Sequence, residues 1–224
     1  MTLHTKQMSD SFRIGVLLAM VGGFLDTYTY LCRGQVFANA QTGNIVLMGI
    51  HLFEGDFWKA SSYFIPIFAF MLGILLDEGI KYHFENKAFH WRQMVLLIEL
   101  CTLVLVMLLP LGSGDAFANA LVSFICSLQV QSFRKVHGLP YASTMCTGNL
   151  RSGTEHLVHF FQKKEKIFFK KSMHYYGIII SFICGVGLGV ITTKRYGNLS
   201  LWICFLLLLV AFCMLFIKET NETT

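Results

Sequence analysis

Residues 199–217 read LSLWICFLLLLVAFCMLFI, a stretch without one Asp, Glu, Lys, Arg or His. A helix rises about 1.5 Å per residue, so roughly 20 apolar residues cross the ~30 Å hydrocarbon core of a bilayer. This stretch has that length and carries nothing that would hold it in water. Working back toward the N-terminus, five more segments fit the same description. They are 13–32 (RIGVLLAMVGGFLDTYTYLC), 60–80 (ASSYFIPIFAFMLGILLDEGI), 92–110 (RQMVLLIELCTLVLVMLLP), 115–133 (DAFANALVSFICSLQVQSF) and 173–192 (MHYYGIIISFICGVGLGVIT). The second contains Pro66, which a membrane helix tolerates when neighbouring groups satisfy the backbone it frees.

The whole composition agrees. The chain has 224 residues, 54% hydrophobic and 14% charged, with mean hydropathy +0.57. A water-soluble domain covers itself with about 25% charged residues. The short connections leave no space for a soluble domain, so residues 1–224 read as a single all-α membrane domain. The first apolar run lacks a small-residue cleavage site and continues through Gly22-Gly23 to Asp26, which argues against a cleaved signal.

With the N-terminus inside, fourteen of the eighteen Lys and Arg fall on the cytoplasmic side, and only Arg33, Lys59, Lys194 and Arg195 fall outside. This positive-inside bias predicts both termini in the cytoplasm and a multi-pass protein of a cytoplasmic (inner) membrane. The net charge of +5 therefore reflects topology, and no nucleic-acid partner is expected. The cluster Lys163–Lys171, interleaved with Phe168 and Phe169, is suited to anionic lipid headgroups.

The seven cysteines include no C-x-x-C pair, and most lie within apolar spans, so neither a disulfide framework nor a zinc site is expected. Glu155, His156 and His159 share a helix face but lack further ligands, and His51 and His156 read as interface residues with their polar tips outward. No metal, no cofactor and no catalytic constellation is expected, which argues against an enzyme.

The sequence also matches itself at an offset of 105 residues. Thr42-Gly43-Asn44 recurs as Thr147-Gly148-Asn149, and His51-Leu52 as His156-Leu157, without a gap. Asp26 and Thr27 align with Gln131 and Ser132. Phe70-x-x-Gly73 aligns with Phe182-x-x-Gly185 after seven residues are inserted in the second basic loop. The copies, about 12–110 and 115–217, hold three spans each. An odd number of crossings turns the second copy upside down, giving inverted-topology repeats. An eight-span alternative, in which 36–53 and 141–161 also cross, splits the charges nearly evenly and places Arg151 in the bilayer.

Residues 44–53 are too short to span and suit a half-helix dipping into the protein. The second copy places another after span four. Gly permits a tight backbone entry, while Thr and Asn can cap a first helical turn. A helix N-terminus presents unpaired N–H groups and about half a positive charge. Two such ends approaching from opposite faces would build a polar site; the plainer reading makes T-G-N a tight turn and cap.

Asp26 lies roughly 18–20 Å along its helix from Arg13. A carboxylate at that depth costs several kcal/mol unless it is paired, protonated or wetted. Arg134 and the T-G-N donors are its candidate partners. The candidate site is Asp26, Asn39, Thr42, Gly43, Asn44, Gln131, Arg134, Thr147, Gly148 and Asn149. Glu99 lies mid-span, either as a proton carrier or as a neutral hydrogen-bonded acid, and Gln129 is expected to face the bundle interior. The run Gly185-x-Gly187-x-Gly189 reads as close helix packing.

The pattern G-G-F-L-D-T-Y-T-Y-L (22–31) followed by V-F-A-N-A-Q-T-G-N (36–44) resembles the YoaK-like family of bacterial multispanning membrane proteins. Gly23, Asp26, Phe37, Thr42, Gly43 and Asn44 occupy that family's first-half positions. Q-S-F-R (131–134) and T-x-x-T-G-N (144–149) resemble its second-half elements. Thr27 stands for the usual Ala and Gln41 for the usual Met. The resemblance implies a membrane fold and topology and carries no activity with it.

The expectation is a transporter or channel-like protein for a small polar or anionic solute. The competing reading is a membrane scaffold or stress-response protein that acts through its basic cytoplasmic loop.

Overall fold

The computed structural model describes residues 10–84, 91–136 and 139–217. Lys6, Lys87 and Lys218, which entered the charge count, lie outside them. The chain is all-α apart from a two-residue hairpin. Its elements are α1 (Phe12–Cys32), α2 (Gln41–Phe53), α3 (Phe57–Phe84), α4 (Trp91–Leu108), α5 (Asp115–Ser132), α6 (Cys146–Lys163), α7 (Lys166–Tyr196) and α8 (Leu201–Met214). Strands β1 (Lys135–Val136) and β2 (Leu139–Pro140) pair antiparallel between α5 and α6. Among the described residues, four helical segments are long and apolar enough to cross a membrane: Phe12–Cys32, Phe57–Phe84, Trp91–Leu108 and Lys166–Met214. The last runs from α7 through the 3₁₀ turn Gly197–Ser200 into α8.

Local sequence sets the boundaries. Ser11 caps α1 by accepting the Ile14 N–H on its hydroxyl at 3.3 Å, the usual work of an N-cap serine. The α2–α3 turn uses Gly55 at φ +82°, where a Cβ would be strained. Asp56 then accepts the Lys59 N–H at 3.0 Å and starts α3. Helix α3 continues through Pro66, whose carbonyl accepts the Ser123 hydroxyl at 2.8 Å and ties α3 to α5.

Packing pairs follow element order. Helix α1 lies against α7 and α5 against α3; α2 packs on α3 and α6 on α7; α4 touches α5 and α8 touches α1. Exchanging α1–α4 for α5–α8 maps each of these pairs onto another. The closest approaches rest on glycine. A Cβ on Gly23 would overlap the Phe182 carbonyl, and one on Gly185 would overlap the Met20 carbonyl. On the other pair, Gly73 sits as tightly on Phe124 and Ser127. Of the α7 glycine run, Gly185 and Gly189 face α1 while Gly187 has nothing within 4 Å. The main apolar core, with Phe24, Leu96, Val122 and Leu208, is built by α1, α4, α5 and α8.

Polar clusters mark the two ends of the bundle. At one end Arg33, fully buried, donates Nε–H to Tyr28 Oη at 2.8 Å. Its other nitrogens reach the carbonyls of Pro110 (2.7 Å), Leu109 (3.0 Å) and Val106 (3.3 Å), Asp115 at 3.0 Å and Asn198 at 2.9 Å. The last carbonyls of a helix lack partners within it, and Arg33 serves that purpose for α4. At the other end Arg92 donates to the Ser132 carbonyl at 3.0 Å and pairs with Asp10 at 3.5 Å. These contacts gather the end of α1, the end of α4, the start of α5 and the α7–α8 turn at the Arg33 end, and the start of α1, the start of α4 and the end of α5 at the Arg92 end.

Candidate functional site

Helix α1 brings Asp26 and Thr27 to the face it turns toward α7, where Gly189 leaves space beside Thr27. After α1 the chain folds back, and the Asn39 N–H donates to Asp26 Oδ1 at 2.8 Å. The Asn39 side chain returns to the Gly22 carbonyl at 3.1 Å, which fixes the start of α2 beside the middle of α1.

Both T-G-N triplets lie in the first turns of their helices, Thr42–Asn44 in α2 and Thr147–Asn149 in α6. Neither helix has a side-chain N-cap bond. The asparagines bind backward instead. Asn44 Nδ2 donates to the Phe37 carbonyl at 2.6 Å, and Asn149 Nδ2 to the Ala142 carbonyl at 2.7 Å. Each thus closes the loop leading into its helix. The early N–H groups of a helix have no partner within it, so both helices turn their positive ends toward the space between them.

That space is a cavity of about 840 Å³. Its lining includes Asp26, Thr27, Tyr30 and Leu31 from α1, Asn39–Thr42 at the start of α2, and Thr144–Gly148 at the start of α6. Ile67, Phe70 and Met71 close it from α3, and Phe182, Val186 and Val190 from α7. The α3 and α7 residues occupy middle turns of their helices, while Tyr30 and Leu31 lie in the last turn of α1. Both halves contribute matching positions: Asn39 to Thr42 correspond to Thr144 to Thr147, and Phe70 to Phe182.

Of the residues singled out in the sequence, Asp26, Asn39, Thr42, Thr147 and Gly148 line the cavity. Gly43 stands one residue behind it. Asn44 and Asn149 are buried and hold the two loops. Gln131 and Arg134 are elsewhere. Gln131 donates to the Glu78 carboxylate, and Arg134 is exposed at the entry to the hairpin. Asp26 is therefore held by a backbone N–H, and Arg134 does not reach the cavity. Gln129 faces the interior as expected and bonds the Leu18 carbonyl and Ser143. Glu99 lies in the core, 1% exposed, away from the cavity lining.

The sequence reading overlooked the walls. Phe70 and Phe182 were visible as the repeated Phe-x-x-Gly, but served only to set the repeat register. Tyr30 stacks on Phe37 with ring centroids 4.8 Å apart and planes at 21°, and both line the cavity. Cys146 opens α6 inside it. Burial, and after it the charge of Asp26, pushes its thiol above the ordinary value. The two histidines lie half-buried at helix interfaces, as expected. His51 stacks on Tyr63 at 5.7 Å and His156 on Tyr175 at 5.8 Å, each locking a short helix to the long one that follows. All seven cysteines are free. Among the described residues no group of three or more His, Cys, Asp or Glu is placed to hold a metal ion.

A multi-helix membrane protein with a half-open cavity between its helices is the class that this fold and site define. The chain belongs to the family described as "Protein of unknown function (DUF1275)", whose model matches residues 14–214. It is similar to the UPF0700 transmembrane protein YoaK of Bacillus subtilis (strain 168), with 24% identity over 200 residues, covering 86% of this chain and 88% of that one. No solved structure matches.

Proposed function

We propose that this protein moves a small polar solute across the bacterial cytoplasmic membrane through the cavity between α1, α3 and α7. The observation that carries the proposal is that one cavity joins Asp26 to the N-terminal ends of both α2 and α6. In this reading the halves are inverted repeats. Six helices cross, both termini are cytoplasmic, and α2 and α6 leave the cavity toward opposite surfaces. The reciprocal pairing of α1 with α7 and α5 with α3 supports it, as does the alternation of the polar Arg33 and Arg92 clusters. Binding sites at the interface of inverted repeats, faced by half-helix N-termini, are a recurring transporter solution. With Arg134 outside the cavity, the helix ends are all that would favour an anion.

The test is uptake into proteoliposomes across pooled metabolites, comparing the unaltered protein with Asp26→Asn and Asn44→Ala. Accumulation that both substitutions abolish supports transport. Failure to bind or move anything across a broad panel overturns it.

A second reading rests on a different observation. Lys163 and Lys171 stand 5.2 and 5.8 Å from the Phe168 ring, and Phe161, Ile167 and Phe169 nearby are exposed. Such a surface suits anionic headgroups or a recruited partner, and a scaffold would act through it. Neutralising these lysines would then abolish complementation of a deletion strain, which Asp26→Asn leaves intact.

A further inference from the structure

The chemistry of the cavity wall narrows the solute, provided the cavity is the binding site proposed above. Among the described residues that line it, Asp26 is the only charged one; no Lys, Arg or His takes part. Asp26 accepts the Asn39 N–H at Oδ1, and a carboxylate offers about four acceptor positions. The same lining carries four aromatic rings, Tyr30, Phe37, Phe70 and Phe182. The first two are already stacked into a flat panel.

A carboxylate with aromatic faces is the combination that binds an ammonium group. The ring faces attract a cation through their quadrupoles, most strongly when it is desolvated, and the carboxylate neutralises it. The positive ends of α2 and α6 do not contradict this. The start of α2 already faces this acidic side chain, through the Asn39 N–H bond to Asp26 at 2.8 Å. The remaining wall is aliphatic, from Ile67, Met71, Val186 and Val190, and suits an apolar body. A cavity of about 840 Å³ lies within the range that holds ligands of drug size.

We infer that the cavity takes an organic cation, an amine or quaternary ammonium carrying an apolar group, with its charged head between Asp26 and the aromatic rings.

The test uses the full chain in lipid vesicles and the natural thiol of Cys146, which lines the same cavity. The rate of Cys146 alkylation by a maleimide is followed by peptide mass spectrometry. Three probes of similar size are compared: phenyltrimethylammonium, its neutral isostere tert-butylbenzene, and benzoate. The expected result is half-protection by the cation at a concentration tenfold or more below that of the isostere, with benzoate weakest. Asp26→Asn, which keeps an acceptor for the Asn39 N–H, should erase the difference between cation and isostere. Equal protection by cation and isostere in the unaltered protein, or strongest protection by benzoate, overturns the inference without relying on any variant. The two readings fail separately. Protection by the cation, with no accumulation of any solute across the metabolite panel, supports the cation site and overturns transport. Accumulation of another solute, with no protection by the cation, supports transport and overturns the cation site.

Discussion

Asn44 donates its side-chain amide to the carbonyl of Phe37, seven residues upstream, at 2.6 Å. Asn149 repeats the bond to Ala142 at 2.7 Å. The backbone agrees, since the Asn44 N–H bonds the Ala40 carbonyl and the Asn149 N–H the Met145 carbonyl. These bonds match at the sequence offset of 105 residues, as do the cavity residues they hold in place. The T-G-N triplet therefore works as a loop clasp whose asparagine is buried, leaving the threonine side of the turn for the cavity.

Removing either clasp should weaken the fold. Asn44→Ala and Asn149→Ala each delete a buried donor and leave a carbonyl unsatisfied, which costs about 1–3 kcal/mol. Thermal denaturation in detergent should show both variants shifted down by similar amounts. A large loss in one with none in the other would contradict their equivalence.

The helix crossings depend on missing side chains. Gly185→Ala would drive a Cβ into the Met20 carbonyl, whereas Gly187→Ala meets nothing within 4 Å. Size-exclusion profiles of the two variants should separate sharply, with loss of monodisperse protein for Gly185→Ala alone.

Arg33 is an anchor that a lysine cannot replace. Its guanidinium serves three carbonyls, Asp115, Asn198 and Tyr28 at once, a fork that one ammonium does not reproduce. Truncation leaves carbonyl acceptors at the end of α4 without a donor, at about 1–3 kcal/mol for each that stays buried. Arg33→Ala should lower thermal stability by that order, and Arg33→Lys should recover only a minor part of it.

Cys146 reports on the electrostatics of the cavity. Its thiol is pushed up first by burial and then by Asp26, so little thiolate exists at neutral pH and alkylation is slow. Because the thiolate is the nucleophile, the rate should rise about tenfold per pH unit below the thiol's own pKa. Asp26→Asn removes the repelling charge and should accelerate labelling at any fixed pH in that range. An unchanged rate would place Asp26 away from Cys146.

Much of this was legible in the chain itself. Each predicted span coincides with a helix, because an apolar run of bilayer length has few other ways to satisfy its backbone. Helices α3 and α7 extend beyond their apolar runs, to Phe57–Phe84 and Lys166–Tyr196, since polar turns continue a helix that hydropathy alone cannot see. The depth of a carboxylate within its span led to Asp26, and the repeat to both T-G-N segments. The repeat misled at Arg134, since α5 ends at Ser132 and the chain has already left the helix when Arg134 is reached. Arg33 looked like an ordinary loop charge. Its burial follows from the unpaired carbonyls at the end of α4, a partner some 75 residues away in sequence that no local pattern reveals. The aromatic wall was hidden for a similar reason, because its rings come from three helices and a loop.

The central claim is that α2 and α6 start at one cavity and run to opposite membrane surfaces. It is tested most directly by single substitutions Asp56→Cys, in the α2–α3 turn, and Glu165→Cys, in the α6–α7 turn, probed with a membrane-impermeant maleimide and peptide mass spectrometry. Asp56→Cys should be modified in intact cells, and Glu165→Cys only after the membrane is opened. Modification of both from the same side would contradict the inverted arrangement, and with it the shared cavity within the bilayer.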